Sequence, residues 1–329
     1  MPCPYMTGIY VRIDLYGAQR PAPSSKWRQS ANLDAAHYAW RSPHYMMWRP
    51  RAALLSTVGR ILLVGRAVPA VDGRFRTTML AMTIADELTG RLVIYQEAES
   101  TQDLAREMAV RGEPSGSAVM AINQTSGRGR AGHSWISPPG KNLALSAIFR
   151  PCVAPRDAPL LGLAASVAVA ETVERRGVPR AELKWPNDVL VNGRKIAGIL
   201  SEASISGHKV EFVIIGIGLN VNTVETDFPL DLRSSVTSLL AAVGRHSDLE
   251  ELARELLSAL GYLYDRMDRE GCGFVRALWD NRWAHRGVVL VHEGSYGIAQ
   301  GIDVDGSLLL RDGQGRLHRI TSGDVEPTA

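Results

Sequence analysis

The chain is short of lysine. Of 37 basic side chains in 329 residues, five are lysines: Lys26, Lys141, Lys184, Lys195 and Lys209. Arginine has taken nearly every other basic position, so each surviving lysine marks a place for a compact, flexible point charge. Cysteine is scarce too. Cys3, Cys152 and Cys272 are scattered, odd in number and lack metal-ligand spacing. That excludes a disulfide framework, fits a reducing compartment and leads us to expect a cytoplasmic protein. No run of eighteen apolar residues exists, which excludes a spanning helix of the usual kind. What is present, 45% hydrophobic and 22% charged residues, is the composition of an ordinary globular protein.

The charge is uneven. Residues 1–76 carry eleven basic and three acidic side chains, whereas the rest of the chain carries 26 and 31. The basic head is rich in Arg, Tyr, Trp and Pro, holds Trp27, Trp40 and Trp48, and shows no sustained period. Its one apolar patch, at 52–68, is broken by Arg60 and two glycines and is too far along the chain for a secretory signal. We expect 1–78 to be a disordered extension, or to precede a true start at Met79 or Met82. A basic, aromatic head also fits contact with nucleic acid, but no helix-turn-helix pattern occurs in it.

From about residue 79 the pattern is regular. Strands are predicted at 91–96, 117–122 and 142–149. Ser100, with Asp103 three residues on, reads as a capping box opening a helix. A long Ala/Leu/Val helix spans about 158–176 and stops at Gly177. Strands then crowd together through 182–222. Asn192-Gly193 between two of them predicts a type I′ hairpin turn, so the sheet is at least partly antiparallel. Ser247 with Glu250 predicts a second capped helix, with its inner face on Leu249, Leu252, Leu256, Leu257 and Leu260. Another helix is predicted over 274–286. The last forty residues become short strands joined by Gly/Asp turns, which reads as a small β-barrel appended to an α+β domain.

Two segments carry chemistry. Gly127-Arg128-Gly129-Arg130-Ala131-Gly132 has the spacing of a dinucleotide fingerprint, which must open a helix. Pro138, Pro139 and Gly140 forbid that helix. A second reading uses the arginines: glycines let the backbone approach a ligand, and guanidinium forks suit phosphate or carboxylate. Trp135 then offers a face for a base. By spacing alone, a solvated basic loop fits as well. The second segment, KWPNDVLVNGRKIAGIL at 184–200, offers Asn187 and Asp188 after a strand broken by Pro186, then Lys195 at the lip of an apolar strand. A cation there can stabilise charge on a transferring phosphoryl or acyl group. Asp188 fits a magnesium ligand, a proton acceptor or an ordinary turn residue. In IIGIGLN at 214–220 only Asn220 reads as functional; the rest reads as buried strand.

Together with ESTQDLA at 99–105, PPGKNLALSAIFRP at 138–151 and IIGIGLNVN at 214–222, these segments resemble the biotin protein ligases, also called biotin–[acetyl-CoA-carboxylase] ligases. The resemblance covers roughly residues 90–325. It implies an α+β catalytic domain with the class II aminoacyl-tRNA-synthetase-like fold, over 79–285, and a C-terminal SH3-like barrel over 286–329. It also implies a two-step reaction: biotin and ATP with Mg2+ give biotinyl-5′-AMP, and a carrier-domain lysine then takes the biotin. The carrier implied is the biotin carboxyl carrier domain of acetyl-CoA carboxylase or of another biotin-dependent carboxylase. Homodimerisation is left open.

By the same resemblance Ser100, Thr101, Gln102, Gln124 and Gly198 bind biotin. Arg128, Gly129 and Arg130 form a mobile loop over carboxylate and phosphate. Lys195 contacts the carboxyl and phosphoryl oxygens. Trp135, Asn187 and Asn220 surround the adenine. Arg130, Lys195 and Asp188 are the expected catalytic set; the metal ligands are left open. The chain departs from many relatives at His133, where arginine or lysine is usual, and at Gln102, where asparagine is frequent. Two other readings are a lipoate–protein ligase of the same superfamily and a biotin-responsive repressor. The unmatched head without a helix-turn-helix argues against DNA as a partner and for a monofunctional enzyme.

Overall fold

The computed structural model describes residues 91–328 with their side chains. Before them it describes only the backbone of short strands between Tyr38 and Asp86, and Gly90. The chain forms two compact units, Met1–Asp86 and Glu87–Ala329. In the first, where the sequence shows no period, antiparallel ladders pair Tyr38–Ser42 with Tyr45–Trp48, Arg60–Gly65 with Leu80–Asp86, and Val68–Pro69 with Phe75–Arg76. Trp27 lies outside the described residues, as does the question of the start site.

The second unit begins with β1 (Gly90–Ala98), α1 (Thr101–Val110), β2 (Ala118–Gln124) and β3 (Leu143–Phe149). Helix α2 (Pro159–Arg175) follows, then β4 (Glu182–Lys184), β5 (Asp188–Val191), β6 (Arg194–Ser206) and β7 (Lys209–Leu219). These strands make one sheet in the order β4-β5-β6-β7-β3-β2-β1. Only β1 and β2, joined through α1, run parallel; the other ladders are antiparallel. Asn192 and Gly193 both have positive φ, 51° and 74°, as the type I′ turn between β5 and β6 requires.

The two faces of this sheet differ. Along β7, Val213, Ile215, Ile217 and Leu219 belong to the main core, while Phe212, Ile214, Gly216 and Gly218 point to the opposite face. The core face is covered by α2, buried along most of its length, and by α4 (Leu249–Glu270), which packs on α2 through Leu252, Leu256, Leu257 and Leu260. Before α4 comes the short α3 (Leu239–Val243), and after it α5 (Gly273–Asp280).

Three predicted boundaries shift. Ser100 precedes α1 but makes no side-chain cap; Asp103 is drawn instead to a guanidinium across the loop. The cap of α4 is Asp248 rather than Ser247, its side chain accepting from Glu251 N at 2.8 Å. Helix α5 stops at Asp280 because the chain turns to bring Trp283 alongside Leu183 of β4.

The C-terminal segment forms β8 (Val289–His292), β9 (Ser295–Ile302), β10 (Leu308–Arg311), β11 (Leu317–Ile320) and β12 (Glu326–Pro327). They pair antiparallel in the order β11-β10-β9-β8-β12, the all-β unit the strand spacing predicts. It packs onto the larger sheet: Trp185 Nε1 donates to Gly306 O at 3.0 Å, and Lys184 pairs with Glu326 at 2.7 Å.

Candidate active site

The even face of β7 has little to cover it, because Gly216 and Gly218 carry no side chains. Each glycine is a seat. A Cβ at Gly216 would lie closer than 3.0 Å to Gln102 Oε1, and one at Gly218 closer than 3.0 Å to the indole of Trp135. Gly198, paired across the ladder with Gly218, likewise leaves room for Trp135 and for the Lys195 stem. Glycine inside a strand marks close approach of another group. The alternation of glycine with isoleucine in IIGIGL is the signal that the sequence reading passed over: the glycines fall on one face.

Above this floor lies a cavity of about 220 Å³. Ser100, Thr101, Gln102, Gln124, Arg128, Gly129, Arg130, Trp135, Asn187, Asp188, Lys195 and Gly198 all line it. Of the sequence-predicted residues, only Asn220 stays outside. It is buried at the end of β7, where Asn142 Nδ2 donates to its Oδ1 and its own Nδ2 donates to Thr237 O. Its amide is engaged in holding the loops behind the site, outside the lining of this cavity.

The inner end of the cavity is a polar chain. Thr101 N and Oγ1 both donate to Gln124 Oε1, at 2.9 and 3.1 Å, and Thr101 Oγ1 lies 2.9 Å from Ser146 Oγ. Ser146 Oγ donates in turn to Gln102 Oε1 at 3.1 Å. Ser146 is fully buried and was not predicted, being one polar residue in an apolar strand. It sits here because β3 alternates, Leu145 and Ala147 facing the core.

The arginine loop crosses the cavity without opening an α-helix; its only helical backbone is one kinked 3-10 turn, Arg130–Gly132. It closes on itself through Trp135 N to Gly127 O at 2.9 Å and Gly129 N to His133 O at 2.7 Å. Ala131 and Gly132 turn it with positive φ. Arg128 reaches Asp103 of α1, Nη2 to Oδ1 at 2.5 Å. Arg130 points the other way and lies 3.6 Å from Asp324, beside β12. His133 also lines the cavity.

On the opposite wall Lys195 Nζ lies 2.7 Å from Asp188 Oδ1 and 5.8 Å from the Trp135 ring centroid. Ladder pairing fixes this, with Asp188 opposite Gly198 and Leu190 opposite Lys195. The Lys195 backbone is tied to Ser235 and Thr237. Asn187 donates to Ile199 O at 3.0 Å, so the loop after Pro186 is pinned to β6. Lys184 and the β-unit residues Asp324, Val325 and Glu326 complete the wall. No local sequence signal places that last trio here, since only the docking of the C-terminal unit does. The cavity thus gathers four cations against three carboxylates, with a tryptophan whose Nε1 is buried and has no partner among the described residues. Such a site favours an anionic ligand carrying an aromatic ring.

Known proteins are similar to this chain. Residues 93–220 match the model of the biotin/lipoate A/B protein ligase family, and residues 289–326 match the biotin protein ligase C-terminal domain. A Bacillus subtilis protein named bifunctional ligase/repressor BirA is 35% identical over 259 residues, covering 77% of this chain and 79% of that one. This chain belongs to the biotin protein ligase family. The Paracoccus denitrificans biotin–[acetyl-CoA-carboxylase] ligase is 37% identical over 210 residues, covering 61% of this chain and 87% of its own length. The solved structure of Aquifex aeolicus biotin protein ligase in complex with biotin and ATP aligns with a TM-score of 0.61 at 28% identity, over 71% of this chain and 97% of that one. The fold is therefore the α+β, class II synthetase-like fold of this family, with its C-terminal β unit. The first family match holds the arginine loop, both lysines of the 184–200 segment and the glycine floor; the second holds Asp324 and Glu326.

Proposed function

We propose that this chain activates biotin with MgATP and transfers it to a lysine of a biotin carboxyl carrier domain, such as that of acetyl-CoA carboxylase. The observation that carries this is the single cavity in which Arg128, Arg130 and Lys195 converge over a glycine floor with Trp135 laid on it. Membership in the family supports the same reading.

In the first step an oxygen of the biotin carboxylate attacks the α-phosphorus of ATP. The bond to the β-phosphate bridging oxygen breaks and pyrophosphate leaves. Two anions must meet for this, so cations have to offset their repulsion. Arg128 and Arg130 come from a loop and can adapt to the carboxylate and phosphate; Lys195 comes from a strand and is held in place. Ser100, Thr101, Gln102 and Gln124 present polar atoms to the ureido end, and Trp135 with Asn187 faces the adenine. A loop that closes also shields the adenylate from water. In the second step the neutral amine of the carrier lysine attacks the acyl carbon, the acyl–oxygen bond breaks and AMP leaves. We assign Asp188, beside Lys195, to the reacting centre, where it orients Lys195 and accepts the proton that the attacking amine gives up.

Among the described residues no group of three or more His, Cys, Asp or Glu is placed to hold a metal ion. Magnesium enters with the nucleotide substrate, held by its phosphates. We assign residues 79–285 to catalysis and 286–329 to the C-terminal unit, and place the reaction in the cytoplasm, in keeping with the three scattered cysteines of the sequence. We read the chain as monofunctional, because 1–78 carries no helix-turn-helix pattern.

The test is to incubate the protein with MgATP, an apo carrier domain and either biotin or lipoate, then weigh the carrier. A mass gain with biotin alone is expected; none with biotin sinks the reading, and a gain with lipoate alone reassigns it. A mobility-shift assay on a biotin-operator fragment is expected to show no specific complex.

A further inference from the structure

Glu202 has no place in the reaction above, yet it is a junction. It lies on β6, four residues beyond Gly198 and on the same face. Its Oε2 accepts from Gln102 Nε2 at 2.8 Å, lies 3.0 Å from Arg106 Nη2 of α1, and lies 3.9 Å from Arg128 Nη2 of the loop. One carboxylate oxygen therefore faces a buried amide of the polar chain, a guanidinium fixed on a helix and a guanidinium borne by the loop. Its side chain is 28% exposed, so its charge is only partly screened.

The arrangement has an electrostatic logic. Arg106 and Arg128 both approach the same oxygen, so without the carboxylate two like charges would face each other. Of the two, Arg106 is held by α1, whereas Arg128 sits on a loop and is the one free to move away. Asp103 holds Arg128 from the other side through Nη2, which leaves Nε and Nη1 of the fork available for a substrate anion.

We propose that Glu202 is a positioning residue: its charge bridges Arg106 and Arg128, and so holds the arginine loop at the cavity and ties it to the Gln102 end of the biotin site. This rests on the function proposed above. The bridge works through charge, and a glutamine at 202 keeps an acceptor for Gln102 while removing the anion. The loop then has to be ordered by the ligand itself, so the defect falls on binding rather than on the chemical step.

The experiment uses the full chain, with thermal melts as the folding control. Biotin affinity is measured by equilibrium dialysis without ATP, and hydrogen exchange by mass spectrometry follows residues 125–135. In E202Q the biotin Kd is expected to rise about tenfold, the order for losing one charge-assisted contact in a partly screened site. KM for biotin rises with it, kcat changes by less than about twofold, and the loop exchanges faster. The double variant R106Q/E202Q removes the uncompensated cation and is expected to recover the part of the loss that comes from repulsion between Arg106 and Arg128, which a merely structural role would not allow. R106Q alone frees the Glu202 oxygen for Arg128 and is expected to slow loop exchange; it decides the matter even if E202Q fails to fold. Unchanged Kd and exchange in E202Q, no recovery in the double variant, or unchanged loop exchange in R106Q would each overturn the proposal. Wild-type protein that binds no biotin would overturn the function itself, whereas wild-type binding matched by E202Q overturns only the role of Glu202.

Discussion

The two faces of one strand teach most about this protein. On β7, Ile215 and Ile217 face α2 and are almost completely buried, while Gly216 and Gly218, which alternate with them, face the cavity. Neighbouring positions on one backbone thus serve opposite ends. One face is buried in the core against two helices. The other is stripped so that Gln102 and Trp135 can lie against the sheet. Substitutions on the first face should cost stability, and those on the second should cost activity.

The largest effect is expected at Lys195, on the cavity side. Lys195→Ala should lower the adenylation rate about a thousandfold, by the scale of lost transition-state charge stabilisation, with a melting temperature near wild type. Pyrophosphate release assays would check this. Lys195→Arg should also be impaired, because a planar fork cannot follow the charge from carboxylate to phosphoryl oxygen as an ammonium can. Normal adenylation and transfer in that variant would refute the reason given for a lysine here.

On the core side, Ile215→Ala should destabilise by about 2 to 5 kcal/mol in urea unfolding, leaving KM for biotin unchanged in the folded fraction. A KM shift would break the contrast between the faces. Gly218→Ala tests it from the other direction. The added methyl displaces the Trp135 ring, and a misplacement on that scale is expected to cost on the order of tenfold to a hundredfold in kcat/KM with little change in melting.

Smaller effects sharpen the boundary of the site. Asn220→Ala should lower stability by about 1 to 3 kcal/mol, through the unpaired groups it leaves at Asn142 and Thr237, without raising KM for ATP. A raised KM would return Asn220 to the nucleotide. The smallest effect concerns pH. Burial, assisted by the charge of Lys184, holds the His285 imidazole below its ordinary value. A group depressed in the folded state contributes stability above its unfolded pKa, about 6.5, and loses it as pH falls through the folded one. Melting should therefore weaken between about pH 7 and 5, and His285→Gln should flatten that slope.

Much of this is legible in the sequence. The type I′ turn at Asn192-Gly193, the long α2 and the failure of the glycine motif to open a helix follow from local stereochemistry, which needs no tertiary partner. The arginine loop and Lys195 stood out because residue type and spacing mark them. Ser146 and Glu202 did not, since each is an unremarkable polar residue until alternation and pairing assign it a face. Ser100 and Asp103 were misread as a helix cap for the same reason. The local signal is real, but Asp103 meets Arg128, and Ser100 lines the cavity instead.

The sequence by itself determined the order of elements, the turn chemistry and the chemical character of the loop, because those depend on neighbours a few residues apart. Only the tertiary structure decided which face of β7 is floor and which is core, that Asn220 belongs to the framework, and that Asp324 and Glu326 reach the cavity from the C-terminal unit. Those outcomes depend on strand register and on the docking of segments more than a hundred residues apart, which no local pattern encodes.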